Sequence, residues 1–437
     1  MNKFILNSIF LLFILNSFSQ QKKDTDGTFW SSTLEYKFVP SIADQLKDGT
    51  FIHADKNPEM KEIYDKRSKS NKVVPGKGLP NGMDPLVNNK NEKTYLTKQT
   101  REPILVFETL TDQTNGCPSD PTGAIGLDYY IAAWNPAFRI YDRSGNPVIP
   151  AANIATVLGS NGGDPIVFYD AEVDRYVITA MSNGSLKLAI SQTGDPINDG
   201  WHSYSIQTPG ATGLPDYPKY SIWSDGYYVS VNSNENDFYV LERDKIINGD
   251  QSASIQGSSV AGMAIGGFSS PFFFSVSDDN LPNDGDATMV YFQDDAWSGV
   301  SQDHLKLWTV DIDWITPNNS TISNPTQINV TPFTSVFDGG SFNNLTLPNG
   351  LDIDAVQGAI MNLAQYREFT THNSAIFNFV VNTTGSSTNE LAGVRWYELR
   401  QDSQGDPWTV FQEGTYTAPD GRHAFMASMI MDLQGNI

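Results

Sequence analysis

One pattern dominates the chain from Arg101 onward: short runs of aromatic and β-branched residues alternate with turns rich in Asp, Asn, Gly and Pro. The pattern repeats at roughly 40 to 60 residues with about four predicted strands per repeat, which is typical of propeller blades. The repeats cover residues 123–149, 164–193, 216–246, 287–314 and 358–400, and a sixth begins at His423. The sequence therefore predicts an all-β fold, a β-propeller of roughly six to eight four-stranded blades.

The last repeat is incomplete in this chain. FMASMIMD is a predicted strand and the turn after it leads directly to Ile437, so the returning strand is missing. An open ring would leave strand edges unpaired. We therefore expect the chain to be a fragment that is truncated at its carboxyl end, with about five blades and the start of another.

The stretch GLPDYPKYSIWSDGYYVSVN is the clearest single hairpin. Its prolines predict a strand that begins at Lys219, and Asp225-Gly226 supplies a turn before the second strand. We expect Pro218, Tyr220 and Ile222 to be structural. The alternative is that Asp216, Tyr217 and Lys219 bind a ligand, but other repeats keep the turn without these three residues.

The amino-terminal part of the chain divides into two predicted segments. Residues 1–19 contain a lysine, a short apolar run and Ser17-Phe18-Ser19, the pattern of a signal peptide, and the run is short for a membrane-spanning helix. Residues 20–100 are rich in lysine and polar residues, and we expect a linker or pro-like lead-in there. The propeller is predicted over residues 101–437, in a secreted or cell-surface protein that does not span the membrane.

Charge and cysteine content exclude some functions. The chain has a net charge of −22, and residues 102–437 hold 12 Lys and Arg against 39 Asp and Glu. Because so acidic a surface repels phosphate backbones, we expect no nucleic-acid partner. Divalent cations and neutral glycans are compatible with this charge. Cys117 is the only cysteine, so no intrachain disulfide can form.

Several stretches resemble a known family. LPDYPKYSIWSDGYY, HLKLWTVDIDWITPNNSTI, GVRWYELR and FQEGTYTAPDGRHAFMASMIMDLQGNI are similar to segments of large secreted β-propeller surface proteins of bacteria, many of them from Bacteroidetes, and the resemblance covers residues 70 to 437. It implies a cell-surface location and export by type IX secretion. The family has no agreed catalytic residues, so the resemblance assigns no site.

Carboxylates offer two candidate sites. The loop from Asp278 to Asp286 gathers several acids and amides around a glycine, and hard cations prefer such oxygen ligands, so Asp279, Asp284 and Asp286 are candidate calcium ligands. Asp311 and Asp313 share one face of a predicted strand, as a glycosidase acid and base could. An aspartate at a strand end more often caps a turn.

The remaining motifs favour no particular chemistry. The five histidines fall apart from one another without a zinc-binding spacing, and serine hydrolase and nucleotide-binding motifs are missing from the sequence. The tryptophans are expected to fill the wedges between blades; the alternative is a glycan-stacking platform. The sequence thus favours a non-enzymatic adhesin-like or scaffold module that binds glycan or protein. The alternative is an extracellular glycan-cleaving hydrolase with paired carboxylates on the propeller face, and no cofactor is certain in either case.

Overall fold

The structure is a computed structural model of the chain. It describes residues 27–54, 82–87, 103–109, 119–182, 185–207, 215–232, 237–263, 271–283, 285–341, 344–347, 350 and 352–437. The predicted signal peptide, Cys117 and Asp284 lie outside these residues. The fold is a five-bladed β-propeller, which confirms the predicted class and corrects the predicted number of blades.

The first two strands precede the blades in sequence. They are β1 (Trp30–Thr33) and β2 (Glu35–Val39), and helix α1 (Ile42–Asp48) follows them. Blade 1 then consists of β3 (Thr122–Ile125), β4 (Tyr129–Trp134), β5 (Ala137–Asp142) and β6 (Ala152–Asn153). Helix α2 (Ala155–Leu158) leads into blade 2, which contains β7 (Gly163–Asp170), β8 (Arg175–Ser182), β9 (Ser185–Ser191) and β10 (Trp201–Ile206).

Blade 3 contains β11 (Asp216–Ile222), β12 (Tyr227–Asn232), β13 (Phe238–Leu241) and β14 (Ser254–Ser258), with α3 (Arg243–Ile247) between its last two strands. Next come β15 (Phe272–Phe273), which starts blade 4, and β16 (Ser275–Val276), which joins blade 5. Blade 4 continues with β17 (Ala287–Gln293), β18 (His304–Asp311), β19 (Thr321–Ile322) and β20 (Thr326–Asn329). A two-stranded sheet follows, β21 (Leu345–Thr346) with β22 (Asp352–Ile353). Blade 5 is completed by β23 (Gln365–Phe369), β24 (His372–Asn382), β25 (Ala392–Gln401) and β26 (Thr409–Tyr416).

Part of the predicted polar lead-in belongs to the propeller. Strand β1 pairs antiparallel with β14 at the outer edge of blade 3, and β2 pairs with β10 at the outer edge of blade 2. Only Leu34 separates the two strands, and it is buried. Outer blade edges carry unpaired backbone groups, so strands from a distant part of the chain can complete them. The expectation of a linker therefore does not hold for residues 30–39.

The segment 423–437 forms no strand, contrary to the expected start of a sixth blade. It runs across blade 5 instead. The amide of Ala424 donates to the carbonyl of Ala392 at 2.9 Å, and the side chain of Gln365 exchanges hydrogen bonds with the amide and carbonyl of Met431. Contacts with existing strands replace the pairing that a further blade would have needed.

The hairpin of blade 3 is largely as predicted. Pro218, Tyr220 and Ile222 are buried in β11, but the strand begins at Asp216, ahead of the expected Lys219, because a bulge between these two residues accommodates Pro218. Gly226 lies in the turn without a positive φ. A Cβ there would lie 2.5 Å from Cγ1 of Val240, so close packing is what requires glycine.

Apolar residues between neighbouring blades form the core. One cluster joins blades 1 and 2, a second joins blades 2 and 3, and the largest joins blades 3, 4 and 5. Phe292 and Phe379 stack with ring centroids 3.8 Å apart in the largest cluster. Four tryptophans are almost fully buried between blades, as expected of wedge-filling residues: Trp201, Trp223, Trp297 and Trp308.

A buried ion pair connects residues 82–87 to blade 5. Both carboxylate oxygens of Asp84 accept hydrogen bonds from Nη2 of Arg395 at 2.9 Å, and Thr415 donates to the same carboxylate. Neither charged side chain is exposed to solvent. In the part of the chain that the structure describes, no helix has the length and apolar character needed to cross a membrane.

Candidate functional site: aspartates at the propeller axis

Four aspartates lie where the chain enters the blades near the propeller axis. Asp120 precedes β3, Asp164 is the second residue of β7, Asp216 is the first residue of β11, and Asp354 follows β22 on the way into blade 5. The first strands of adjacent blades contact one another around the axis, as β3 does with β7. All four carboxylates are partly buried. Asp164 adjoins Asp120, and the charges of Asp120, Asp216 and Asp354 all act on the Tyr217 hydroxyl, so the four lie around that residue.

Asp120 and Asp164 form a coupled pair through one amide. Nδ2 of Asn135 donates to Asp120 at 3.1 Å and to Asp164 at 3.0 Å, and Oδ1 of Asn135 accepts from the backbone amide of Asp164 at 3.2 Å. Burial raises the pKa of Asp164 to about 6, and the neighbouring Asp120 carboxyl adds to this shift. Asp164 therefore keeps its proton under mildly acidic conditions.

Lys219 provides the positive charge next to these acids. Its side chain is 7% exposed, and Nζ lies 3.1 Å from the centroid of the Tyr217 ring. Burial lowers the pKa of Lys219 to about 7, although the charges of Asp216 and Asp120 oppose that shift. The lysine therefore exchanges its proton near neutral pH.

Tyr217 and Asp354 complete the cluster. Burial, and then the charges of Asp354, Asp216 and Asp120, raise the pKa of Tyr217, so its hydroxyl stays protonated. Asp354 is held by the amide of Val356 at 2.8 Å and by Nδ2 of Asn344 at 3.3 Å. A proton donor near neutral pH and several ionisable carboxylates around one mouth are the groups that general acid–base chemistry needs.

Sequence reasoning identified only part of this site. Asp216, Tyr217 and Lys219, the less favoured ligand-binding hypothesis, do lie in the cluster, whereas Asp120, Asp164 and Asp354 were missed. A signal was present: Asp120-Pro121, Asp164-Pro165 and Asp216-Tyr217-Pro218 each stand at the start of a blade. An Asp next to a proline is also typical of a turn, so each of these motifs taken alone does not indicate a shared site.

The predicted calcium loop has a different arrangement. Asp278, its first acid, forms a salt bridge with Arg367. Asp286 has a φ of +60° and adds to the negative charge around Asp225, whose pKa is raised to about 6 chiefly by burial. Asp279 is exposed, and Asp284 lies outside the described residues. The calcium site at Asp279, Asp284 and Asp286 stays a prediction.

Asp311 and Asp313 do not share one face of a strand, because β18 ends at Asp311. Asp313 caps a turn, because its Oδ1 accepts from the amides of Ile315 at 2.9 Å and Thr316 at 2.7 Å. Asp311 is exposed at the end of β18. Turn capping is thus the role of Asp313, the more common one for an aspartate at a strand end.

A second carboxylate cluster lies in the loop between β17 and β18. Among the described residues, one group of three or more His, Cys, Asp or Glu side chains has all its possible ligand atoms within 4.8 Å of one another. It consists of Asp294, Asp295 and Asp303. Oδ2 of Asp294 accepts from the amide of Ser335 at 2.5 Å, and Oδ2 of Asp303 accepts from the amide of Phe333 at 2.8 Å. Burial is the main cause that raises the pKa of Asp294 to about 7 and that of Asp303 to about 6. These bonds to backbone amides account for the cluster as loop structure.

Comparison with known proteins gives little beyond the architecture. No family model matches the chain, and no curated protein matches it. Three similar solved structures are a GH43 glycoside hydrolase engineered for endo-xylanase and exo-arabinofuranosidase activity, a GH130 enzyme from a study of mannoside phosphorylases and glycoside hydrolases, and a putative glycosidase from Bacteroides thetaiotaomicron.

The similarity is distant in every case. The GH43 enzyme has 10% identity and a TM-score of 0.28, with 70% of this chain and 52% of that chain covered. The GH130 enzyme has 10% identity and a TM-score of 0.26, with 64% and 83% covered. The putative glycosidase has 11% identity and a TM-score of 0.25, with 63% and 86% covered. The chain thus spans about half the length of the GH43 enzyme, and likeness at this level does not extend to activity or substrate.

Proposed function

We propose that the protein is an extracellular glycan-cleaving hydrolase that uses the axial aspartates. The observation that carries this proposal is the convergence of Asp120, Asp164, Asp216 and Asp354 around Tyr217, together with the pKa of about 6 at Asp164. An adhesin or scaffold would more simply have a channel mouth lined by serine, alanine and aromatic residues. Asp216 and Asp120 lie close enough to the buried Lys219 to act on its pKa, and such a buried group of charges is costly to assemble. A catalytic role explains why these groups lie together.

The coupled pair supplies the acid in this proposal. Asp120 and Asp164 share a single amide and lie too close together to flank a glycosidic bond, whose acid and partner carboxylate stand roughly 5 to 10 Å apart. The pair therefore acts as one proton donor to the leaving-group oxygen. The opposing carboxylate is Asp216 or Asp354, which either takes a proton from the attacking water or attacks the sugar carbon itself.

Hydrolysis of a glycan panel tests the proposal. Purified protein is assayed on aryl glycosides and on neutral polysaccharides by release of reducing ends, with Asp164→Asn, Asp216→Asn and Asp354→Asn as variants. We expect Asp164→Asn to lose about 100-fold to 10,000-fold in kcat, because a general acid contributes about that much. The wild-type rate is expected to fall above pH about 6, when Asp164 loses its proton.

Asp311→Asn is the matched control, since it removes an exposed carboxylate from a strand end of blade 4. It is expected to keep the wild-type rate. No hydrolysis across the panel, or full activity in Asp164→Asn, would refute the proposal. Glycan-array binding without hydrolysis would instead favour the adhesin-like interpretation.

We also propose that the protein is exported, on the basis of the signal-like residues 1–19. Expression of the full chain in a bacterial host, followed by amino-terminal sequencing of the extracytoplasmic fraction, tests this. Cleavage after Ser19 or a close neighbour is expected, and retention of Met1 in a cytoplasmic product would contradict it.

A further inference from the structure

One face of blade 5 carries a row of partly exposed aromatic rings. Trp396 on β25 lies opposite Gly414 on β26, and Tyr416 lies opposite Val394, so the register puts Trp396 and Tyr416 on the same face. Phe411 occupies the bulge in β26 and lies under the Arg400 guanidinium. The distance from Cζ of Arg400 to the centroid of the Phe411 ring is 3.3 Å. Phe411 is 55% exposed and Tyr416 is 51% exposed.

A glycine on the neighbouring strand allows the Trp396 indole to lie flat against the sheet. A Cβ on Gly414 would lie 2.8 Å from atoms of the Trp396 indole, so only glycine lets the ring lie against the strand. Trp30 lies over Gly257 in a similar way on blade 3, but Tyr239 meets it edge to face at 5.9 Å. Trp396 is partly exposed, and no ring contact of this kind is found for it among the described residues.

Polar groups are interleaved with the rings. Glu398 accepts from Nε of Arg400 at 2.6 Å and from Nε2 of Gln412 at 2.6 Å, which fixes both side chains beside the rings. Their remaining N–H and C=O groups can bond to hydroxyls. Flat aromatic rings against which the C–H faces of sugars stack, with amide and guanidinium groups alongside, are suited to a carbohydrate.

The length of the strand segment and the net charge of the chain restrict the class of carbohydrate that can bind. Residues 411 to 416 of an extended strand span roughly 16 Å, which is long enough for several sugar units in a row. The chain has a net charge of −22, so an anionic polysaccharide would be repelled. Arg400 and Glu398 neutralise each other at the face itself.

We propose that Trp396, Phe411 and Tyr416 form a binding platform for an extended neutral polysaccharide, separate from the axial aspartates. The platform stands independently of the proposed hydrolase activity. It would hold a polymer on blade 5 whether or not the axial site cleaves it.

Affinity electrophoresis tests the platform. The protein is run in native gels cast with hydroxyethylcellulose, arabinoxylan or galactomannan, and in gels without polysaccharide. We expect retardation by at least one of these polymers. Phe411→Ala, Tyr416→Ala and Trp396→Ala are each expected to weaken that binding by about tenfold, as truncation of an interface aromatic commonly does. Phe38→Ala, which removes a 50% exposed phenylalanine from β2, is the matched control and keeps full retardation.

Two readouts separate this proposal from the hydrolase. Asp164→Asn is expected to keep its retardation, and the platform variants are expected to keep hydrolysis of any small aryl glycoside that the wild type cleaves. Phe411 and Tyr416 are half-exposed, so their variants remain informative even where Trp396→Ala disturbs folding. Retardation in none of the three gels, or equal retardation of all variants, overturns the platform. Light scattering that shows a dimer lost in Phe411→Ala overturns it too, with a second copy of the chain as the occupant.

Discussion

The buried pair of Asp84 and Arg395 allows a sharp test of what holds the propeller together. Arg395 is fully enclosed, and besides the carboxylate it donates to the carbonyl of Thr331 at 2.9 Å and to Oγ1 of Thr415 at 2.8 Å. Replacing Asp84 with alanine leaves the buried guanidinium with only the more distant carboxylate of Glu413, 3.9 Å from Nη1, as a counter-ion. Removing one partner of a buried ion pair costs about 3 to 5 kcal/mol, and we expect Asp84→Ala to lose that much stability.

The expected shift in melting temperature follows from the size of the chain. Unfolding entropy is about 2.1 cal/mol/K per residue, which for 437 residues gives about 0.9 kcal/mol/K. A loss of about 3 to 5 kcal/mol therefore lowers the melting temperature by about 3 to 6 °C. Urea unfolding followed by tryptophan fluorescence measures the free energy directly, and scanning calorimetry measures the temperature.

Two further variants separate the buried charge from other effects. Asp420→Ala removes an exposed pair, since Asp420 and Arg422 are 58% and 82% exposed, and it is expected to change stability by less than about 1 kcal/mol. Adding Arg395→Met to Asp84→Ala is expected to recover much of the loss, because the uncompensated charge is then gone. An Asp84→Ala protein with a wild-type unfolding free energy would refute the reasoning.

The other predictions concern the hairpin and the axial site. Gly226→Val is expected to destabilise the fold by about 1 to 3 kcal/mol in urea unfolding, because its side chain would overlap Val240; an unchanged midpoint would contradict this. Lys219 has a folded pKa of about 7, below that of the unfolded chain, so its charge destabilises the fold at low pH and this cost is relieved as the pH rises from about 7 to about 10. The difference in unfolding free energy between Lys219→Met and the wild type should therefore be about 2 to 4 kcal/mol more favourable to the variant at pH 6 than at pH 10. An equal difference at both pH values would argue against the burial of the charge. Asp164 has a raised pKa of about 6, so the stability from its proton is present below about pH 4 and is lost as the pH rises through 6. The unfolding free energy of Asp164→Asn relative to the wild type should therefore be about 1 to 2 kcal/mol higher at pH 7.5 than at pH 4. A difference of the opposite sign in pH-dependent melting would exclude this ionisation.

The propeller could be predicted because its signal is repeated. Alternating apolar residues and turn residues recur in every blade, so an error in one unit does not change the fold class. The hairpin at Tyr220 and Gly226 was also predictable, since turns and prolines act locally. The number of blades was not, because FMASMIMD has the composition of a strand and yet lies across blade 5 without pairing.

The site was harder to predict, for a physical reason. Asp120, Asp164 and Asp354 are far apart in sequence, and only closure of the ring brings them to one mouth. Each carries a plausible local role as a turn residue next to its strand, so the residue alone does not reveal the cluster. Lys219 is buried close to Asp216 and Asp120, and the alternation of residues along a strand does not reveal which side chains from other blades lie beside it.

The pairing of β1 and β2 has a consequence for how the protein is made. Residues 30–39 leave the ribosome early, but their partners are residues 201–206 and 254–258. Strand β2 therefore stays without its partner until the end of blade 2 has been produced, and β1 until the end of blade 3 has been produced. Loop closure over such distances is slow, and an unpaired strand with exposed Phe38 can pair with other chains meanwhile. A chaperone or export factor that shields this segment until residue 258 has emerged would raise the yield of native propeller more than one that acts on any later strand.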